Sequence, residues 1–291
     1  MEKKYINANG ETLAYLDEGQ GEVVVLIHGN MSSSVHYYPL ISRIKGNFRC
    51  IAPDLRGFGD STYNNRFSSL EELADDVNAL MDALGIESAY IVGWSTGGGI
   101  GLKLAAKYPK KVKKYFSIEG AGYKGYPIYV KENFKSTGKA YESKEAMAAD
   151  PMQVGPMLKI FEKKDAVAMS SVWDATIYTV NKPDKLDNEL WISETLKQRN
   201  LVDLDWALAT FNMSDEFTAY GKGDGSISAV TCPVAFTLGE KDIVVPDYMV
   251  MDNYNVLRER ATLYPYENCG HSPMVDCPDR VASDVIAFFK A

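Results

Sequence analysis

Cysteine is scarce in this chain, and its placement excludes more than its number does. Four residues (Cys50, Cys232, Cys269 and Cys277) are scattered through 291 with no C-x-x-C pair. That spacing supports neither a zinc site nor a disulfide framework, and no other grouping calls for a metal or an organic cofactor. Basic runs are missing too. Lys110, Lys111, Lys113 and Lys114 form the densest cluster, which reads as a solvated loop after a helix. With 31 basic against 39 acidic residues the net charge is −8. Such a surface repels phosphate backbones, so nucleic acid is excluded as a partner. No apolar run is long enough to span a bilayer; the longest, near Glu22 to Ile27, is strand-sized. The opening Met1-Glu2-Lys3-Lys4-Tyr5 has no apolar stretch before a small-residue cleavage site, which leads us to expect no signal peptide and a cytoplasmic location. Glycine and proline recur without a period, and 46% apolar with 24% charged residues excludes fibrous and disordered chains.

What is present is an alternation of short β-rich runs and helical patterns, the signature of a parallel sheet covered on both faces. Lys4 to Ala8 and Thr12 to Asp17 read as a hairpin turning at Asn9-Gly10. Further strands are expected at Glu22 to Ile27, Arg49 to Ala52, Tyr90 to Val92, Val112 to Ile118, Pro233 to Leu238 and Ala261 to Tyr266. A helix is expected from Ser68, as its cap, to Leu84, with Glu71 and Glu72 at its positive end and Gly85 stopping it. Others follow at Pro246 to Arg258 and Pro278 to Lys290. From residue 121 to 220 the alternation stops. That stretch reads as helical and aromatic-rich, and it holds three of the four tryptophans. We therefore expect a core of residues 1–120 and 221–291 interrupted by a helical insertion at 121–220.

Gly93-Trp94-Ser95-Thr96-Gly97 fits G-x-S-x-G between a buried strand and a helix. In that context the glycines permit a strained turn that lifts the serine hydroxyl over the sheet. A serine nucleophile needs a base, and there are three histidines to choose from. His271 follows the last strand and opens on the same crevice as Ser95, so it is the candidate base. His36 is the weaker candidate, expected to line the pocket or cap a helix, and His28 ends a strand. The base needs a carboxylate to fix its tautomer. Asp242 exits a strand on the same rim; Glu119, ending the strand Val112 to Ile118, is its rival, and Asp247 reads as an early-helix residue. For a developing oxyanion the candidate donors are the amides of Thr96 and Asn30. Trp94 and Met31 are candidate pocket residues. Among Met147, Met152, Met157 and Met169, a few are expected to reach the pocket wall.

These residues resemble the α/β-hydrolase fold family over essentially the whole chain. The resemblance rests on His28-Gly29-Asn30, Asp54-Leu55-Arg56-Gly57-Phe58-Gly59-Asp60-Ser61, Gly93 to Gly97, Asp242 and His271, in the order Ser, Asp, His. It implies an α/β-hydrolase fold: a mostly parallel eight-stranded sheet with helices on both faces and a helical cap inserted after strand six. It also implies a serine hydrolase, a carboxylesterase acting on a small or medium ester through an acyl-enzyme. His28-Gly29-Asn30 also resembles the loop of haloalkane dehalogenases, but those enzymes use an aspartate where this chain has Ser95. Arg56 and Asp60 are expected to make local turn hydrogen bonds. Alternatives on the same fold are hydrolysis of a lactone, thioester, amide or carbon–carbon bond, a cofactor-free perhydrolase, and a low-turnover ligand receptor.

Overall fold

A computed structural model describes residues 1–291. It opens with a hairpin of β1 (Lys4–Ala8) and β2 (Glu11–Glu18). Ala8 lies opposite Glu11, leaving a two-residue turn whose Asn9 and Gly10 have φ of 48° and 80°. Positive φ at both positions is what a type I′ turn demands, and Asn-Gly tolerates it.

The body alternates as expected: β3 (Val23–Ile27), α1 (Tyr38–Ile44), β4 (Arg49–Pro53), α2 (Leu70–Ala83), β5 (Ala89–Trp94), α3 (Thr96–Lys107) and β6 (Val112–Ile118). The inserted stretch contains the short strands β7 (Lys131–Glu132) and β8 (Lys135–Ser136), then helices α4 (Lys144–Ala148), α5 (Val154–Lys163), α6 (Ala166–Thr176), α7 (Lys185–Thr195) and α8 (Leu201–Thr210), and the short strands β9 (Phe217–Thr218) and β10 (Gly221–Lys222). The body resumes with β11 (Val234–Gly239), α9 (Asp247–Val256), β12 (Ala261–Tyr266), α10 (Pro273–Asp276) and α11 (Pro278–Lys290). The eight-stranded sheet runs β1-β2-β4-β3-β5-β6-β11-β12. Only the pairings of β2 are antiparallel.

Alternate residues of the central strands feed opposite layers. Val25, Ile27 and Ile91 pack with Leu73 and Val77 of α2 and Ile100 and Leu104 of α3. Val24, Leu26 and Val92 pack with Leu40 and Ile41 of α1 and Val285 and Phe289 of α11. Both faces are covered, which is why β3 and β5 read as unbroken apolar runs. No helix is long and apolar enough to cross a membrane.

Three expectations need correction. Helix α2 is capped by Ser69, not Ser68: the Ser69 hydroxyl accepts the Glu72 N–H, and the Glu72 carboxylate accepts the Ser68 N–H at 2.8 Å. The reciprocal bond to Glu72 places Ser68 just outside the helix. The insertion is not helical throughout, since residues 120–143 hold no helix; Gly120, Gly122, Gly125, Pro127 and Gly138 fall there and break it. The side chains of Arg56 and Asp60 do not confine themselves to their turn. Arg56 forms a buried bidentate pair with Asp76 on α2, and Asp60 accepts from Lys3 and Lys197. The local bonds come from Asp54, whose carboxylate accepts the amides of Ser34 and Asp60 at 2.8 and 2.9 Å.

The apolar side chains of the insertion join the two existing layers. Met147, Val154 and Leu204 enter one, and Met169, Trp173 and Trp191 the other. A polar clamp adds to this attachment. The Lys3 ammonium donates to Asp54, Asp60 and Glu194 at 2.8, 2.8 and 2.6 Å, and Glu194 belongs to α7. The oxygens of those three carboxylates lie close enough to hold a cation, and Lys3 supplies it. Burial lowers the pKa of Lys3, but the surrounding carboxylates outweigh it and raise it above its ordinary value. Removing the ammonium leaves the fully buried Asp54 carboxylate with two backbone amides but no counter-charge. Lys3→Met is expected to cost roughly 2 kcal/mol of stability, less than for a fully buried pair because Asp60 is partly solvated. Urea denaturation monitored by tryptophan fluorescence measures it.

Candidate active site

Ser95 sits between β5 and α3 with φ 56° and ψ −121°, a backbone state that L-residues avoid and that persists only when its surroundings impose it. Those surroundings are backbone. The Ser95 N–H donates to the Ile118 carbonyl at 3.0 Å, and the Ser95 carbonyl accepts from Gly98 and Ala121 at 2.8 and 2.9 Å. Any Cβ at Gly97 would lie 2.0 Å from the Ile27 carbonyl oxygen, and one at Gly93 would lie 2.3 Å from the Gly97 carbonyl oxygen. At Gly29 it would lie 2.7 Å from the Ser95 Cβ. The glycines therefore let the loop after β3, the end of β5 and the start of α3 meet around one serine.

His271 lies in the loop after β12 and is buried. Its Nδ1 donates to Asp242 Oδ2 at 2.8 Å, and its carbonyl accepts the Trp94 indole N–H at 2.8 Å. The other Asp242 oxygen accepts the amides of Val244 and Val245 at 2.7 and 3.0 Å. Burial works to raise the Asp242 pKa, but the imidazole and these two amides prevail and hold it below its ordinary value. Glu119 makes no bond to His271. Its carboxyl accepts from the Thr237 hydroxyl and the Gly239 amide at 2.7 and 3.0 Å. Burial, then the nearby Asp242 charge, pushes it up to about 8, so it is neutral beside an ionised Asp242.

One cavity of about 350 Å³ is lined by Asn30, Met31, Trp94, Ser95, Thr96 and His271. The candidate nucleophile, base, oxyanion donors and pocket residues thus all line one cavity, and Asp242 is bonded to His271. The insertion supplies much of the remaining lining, including Trp173 and Met157. Of the four candidate methionines only Met157 lines it, while Met147 and Met169 belong to the core layers.

The other two histidines are kept out of this chemistry. His28 Nε2 accepts the Leu55 amide at 3.0 Å and its Nδ1 donates to the Gly29 carbonyl at 2.8 Å, tying the loop after β3 to the turn after β4. His36 does not line the cavity. Its Nδ1 accepts the Ser33 amide at 3.1 Å, capping a 3₁₀ turn, and its ring stacks on Trp173 at 5.1 Å. Burial lowers the two pKa values to about 4 and about 3.

Two further polar residues reach this site from the insertion. Gln198 Nε2 donates to Asn30 Oδ1, and Gln198 Oε1 accepts the Met31 amide, both at 2.9 Å. Asp205 on α8 lines the cavity and accepts from Asn30 Nδ2 at 3.0 Å. A sequence signal for Asp205 exists: Leu201, Leu204, Asp205 and Leu208 fall at i, i+3, i+4 and i+7, so the aspartate occupies a buried stripe. Gln198 had no such signal.

The sequence profile of the alpha/beta hydrolase fold matches residues 22–278. Among curated proteins, a cis-3-alkyl-4-alkyloxetan-2-one decarboxylase of Shewanella oneidensis is 39% identical over 121 residues, covering 39% of this chain and 37% of its own length. Lipase 1 of Psychrobacter immobilis is 26% identical over 288 residues, covering 97% of this chain and 81% of its own length. Among solved structures, an esterase from Exiguobacterium antarcticum superposes with a TM-score of 0.74 at 19% identity, covering all of both chains.

Two outcomes follow from this geometry. Gly29→Ala drives a methyl group into Ser95 and is expected to remove turnover of any substrate of this pocket by at least about a hundredfold, because a displacement of about 1 Å has that effect; steady-state kinetics with circular dichroism as the folding control measures it. The second concerns acid. Above the free imidazole value of 6.5 both states hold His28 and His36 neutral. As the pH falls below it the unfolded chain binds protons that the folded chain, with values of about 4 and about 3, refuses. Their stabilisation is complete above 6.5 and is lost on the way down, on the order of 2 kcal/mol each by pH 5. His36→Phe, which keeps the stack on Trp173, is expected to lose about 2 kcal/mol less than the parent between pH 7.5 and 5 in urea titrations.

Proposed function

The chain belongs to the α/β-hydrolase fold family, and from that premise we propose that it is a serine carboxylester hydrolase acting on small or medium esters. The observation that carries this reading is the opening of Ser95 and the Asp242-bonded His271 onto one largely apolar cavity. His271 Nε2 removes the Ser95 proton as Oγ attacks the ester carbonyl. The amides of Asn30 and Thr96 stabilise the oxyanion; in support, the Asn30 N–H donates to no protein atom. His271 then protonates the leaving alcohol. Water, activated by the same imidazole, attacks the acyl-enzyme and releases the acid. Asp242 holds the Nδ1–H tautomer and stabilises the imidazolium.

Residues 121–220 act in this reading as a cap over a core of 1–120 and 221–291, and the cavity they roof sets substrate size. Resemblance to Lipase 1 over nearly the whole chain supports ester chemistry. The partner is a small-molecule ester, with no nucleic acid and no membrane component.

Ser95→Ala is expected to lower turnover of a chromogenic short ester at least about a thousandfold with the fold retained. Undiminished activity removes the reading. Asp242→Asn is expected to cost a similar factor because it misplaces the imidazole proton. Glu119→Gln, which replaces a neutral carboxyl with a neutral amide, is expected to cost far less. A severe loss in Glu119→Gln alone reassigns the acid.

A further inference from the structure

Asp205 and Asp203 stand two residues apart on α8 with opposite surroundings. Asp203 is bonded by Arg66, Lys144 and Tyr63. Asp205 forms no ion pair, and its protein partner is the uncharged Asn30 amide, 3.0 Å from Oδ1. Asp205 is 9% exposed, and what it faces is the cavity that holds Ser95 and His271. No lysine or arginine lines that cavity, and Asp205 is the one carboxyl residue that does.

A purely structural role for Asp205 fits poorly. Asn30 does not need it for orientation: the Asn30 Oδ1 already accepts from the Met31 amide and Gln198 Nε2, both at 2.9 Å, which fixes the face its NH₂ group presents. Packing does not need it either, because a leucine at this point of the stripe would avoid the cost of burying a carboxyl. One carboxyl oxygen remains without a protein donor, although the group has room for several. Asn30 also links the carboxyl to the loop proposed to hold the oxyanion, so Asp205 stands near the reacting carbonyl.

We propose that Asp205 is a substrate-recognising residue, and that the ester taken by this pocket carries a hydrogen-bond donor, a hydroxyl or an ammonium, a few bonds from its carbonyl. The proposal deepens the reading of Ser95 as an ester-hydrolysing nucleophile and rests on it for the word ester. Burial raises the Asp205 pKa to about 7 and the Asn30 bond only partly offsets it. Near neutrality an ammonium therefore draws out the carboxylate, whereas a hydroxyl bonds to either form. The remaining wall, with Trp94, Val172 and Trp173, accommodates the apolar remainder.

The test uses three matched substrates: ethyl butanoate, ethyl 3-hydroxybutanoate and ethyl 3-aminobutanoate. One arm measures kcat/KM by acid release. The other titrates the same esters into Ser95→Ala and follows the fluorescence of Trp94 and Trp173, which line the cavity. A donor-bearing ester is expected to be preferred about tenfold over ethyl butanoate in both arms, as one hydrogen bond to a buried charged group provides. Asp205→Leu is expected to bring that ratio close to one. Asp205→Asn, nearly isosteric and still able to accept from Asn30, is expected to abolish an ammonium preference and keep part of a hydroxyl preference, which tells the two donors apart. Equal treatment of the three esters by the parent, or a ratio that survives Asp205→Leu, overturns the proposal. A binding preference that depends on Asp205 without turnover by the parent overturns the hydrolase reading and leaves the recognition standing.

Discussion

The site depends on a steric constraint: three backbone segments converge on Ser95 with no room for a Cβ between them. The carbonyl of Ile27, at the end of β3, approaches where a Gly97 side chain would begin, and Gly29 lies against the Ser95 side chain. The positive φ of Ser95 is the consequence. A relaxed turn would let the serine fall back into line with β5. Three backbone groups prevent that, those of Ile118, Gly98 and Ala121 bonding the Ser95 peptide groups. The sheet stores the strain and the hydroxyl stays exposed to the cavity.

Around that point the polar groups divide according to what their neighbours allow. Asp242 and Glu119 are close enough to feel each other, and both are buried. Asp242 receives an imidazole and two amides, so it ionises. Glu119 receives one hydroxyl and one amide next to that negative charge, so it keeps its proton. Burial alone would raise both pKa values; the donor sets decide which one stays low. A neutral Glu119 leaves the charge on the carboxylate that touches His271. His28 and His36 show the same rule acting on bases: each is enclosed, accepts a backbone amide, and stays neutral. Three histidines therefore occupy three distinct electrostatic environments, and only His271 has a carboxylate at one ring nitrogen while lining the cavity.

Where backbone pattern decided the structure, the sequence was legible. The Asn9-Gly10 turn, β6, β12 and α11 fall where alternation and turn chemistry put them, because local sequence determines each. The strained turn at Ser95 between β5 and α3 was legible for the same reason. Side-chain reach was not. Arg56 looked like a turn residue, yet its partner Asp76 is twenty positions away on α2. His36 was expected to line the pocket or cap a helix; it caps a 3₁₀ turn, and Trp173 and Trp191 of the insertion lie against its ring. The choice between Asp242 and Glu119 stayed open because both end strands at the same rim, and only the path of the β11 loop brings one to the imidazole. The irregular start of the insertion was hidden by its aromatic content, although its glycines were in plain view.

The insertion does more than line the cavity. The loop after β3 is bonded to it at Asn30 and Met31: Thr195 donates to the Met31 carbonyl at 2.6 Å, Gln198 takes the Met31 amide, and Asp205 takes the Asn30 side chain. Met31 itself has φ 53°, a conformation held by these contacts rather than by glycine. The amide proposed to meet the oxyanion is thus oriented by residues more than 160 positions away in sequence. An enzyme built this way cannot tune substrate fit through α7 and α8 without also adjusting the geometry that stabilises the transition state. In the proposed mechanism specificity and rate share one set of hydrogen bonds, so substitutions along this seam should alter kcat together with KM, whereas substitutions in the apolar wall contributed by α6 should act through KM.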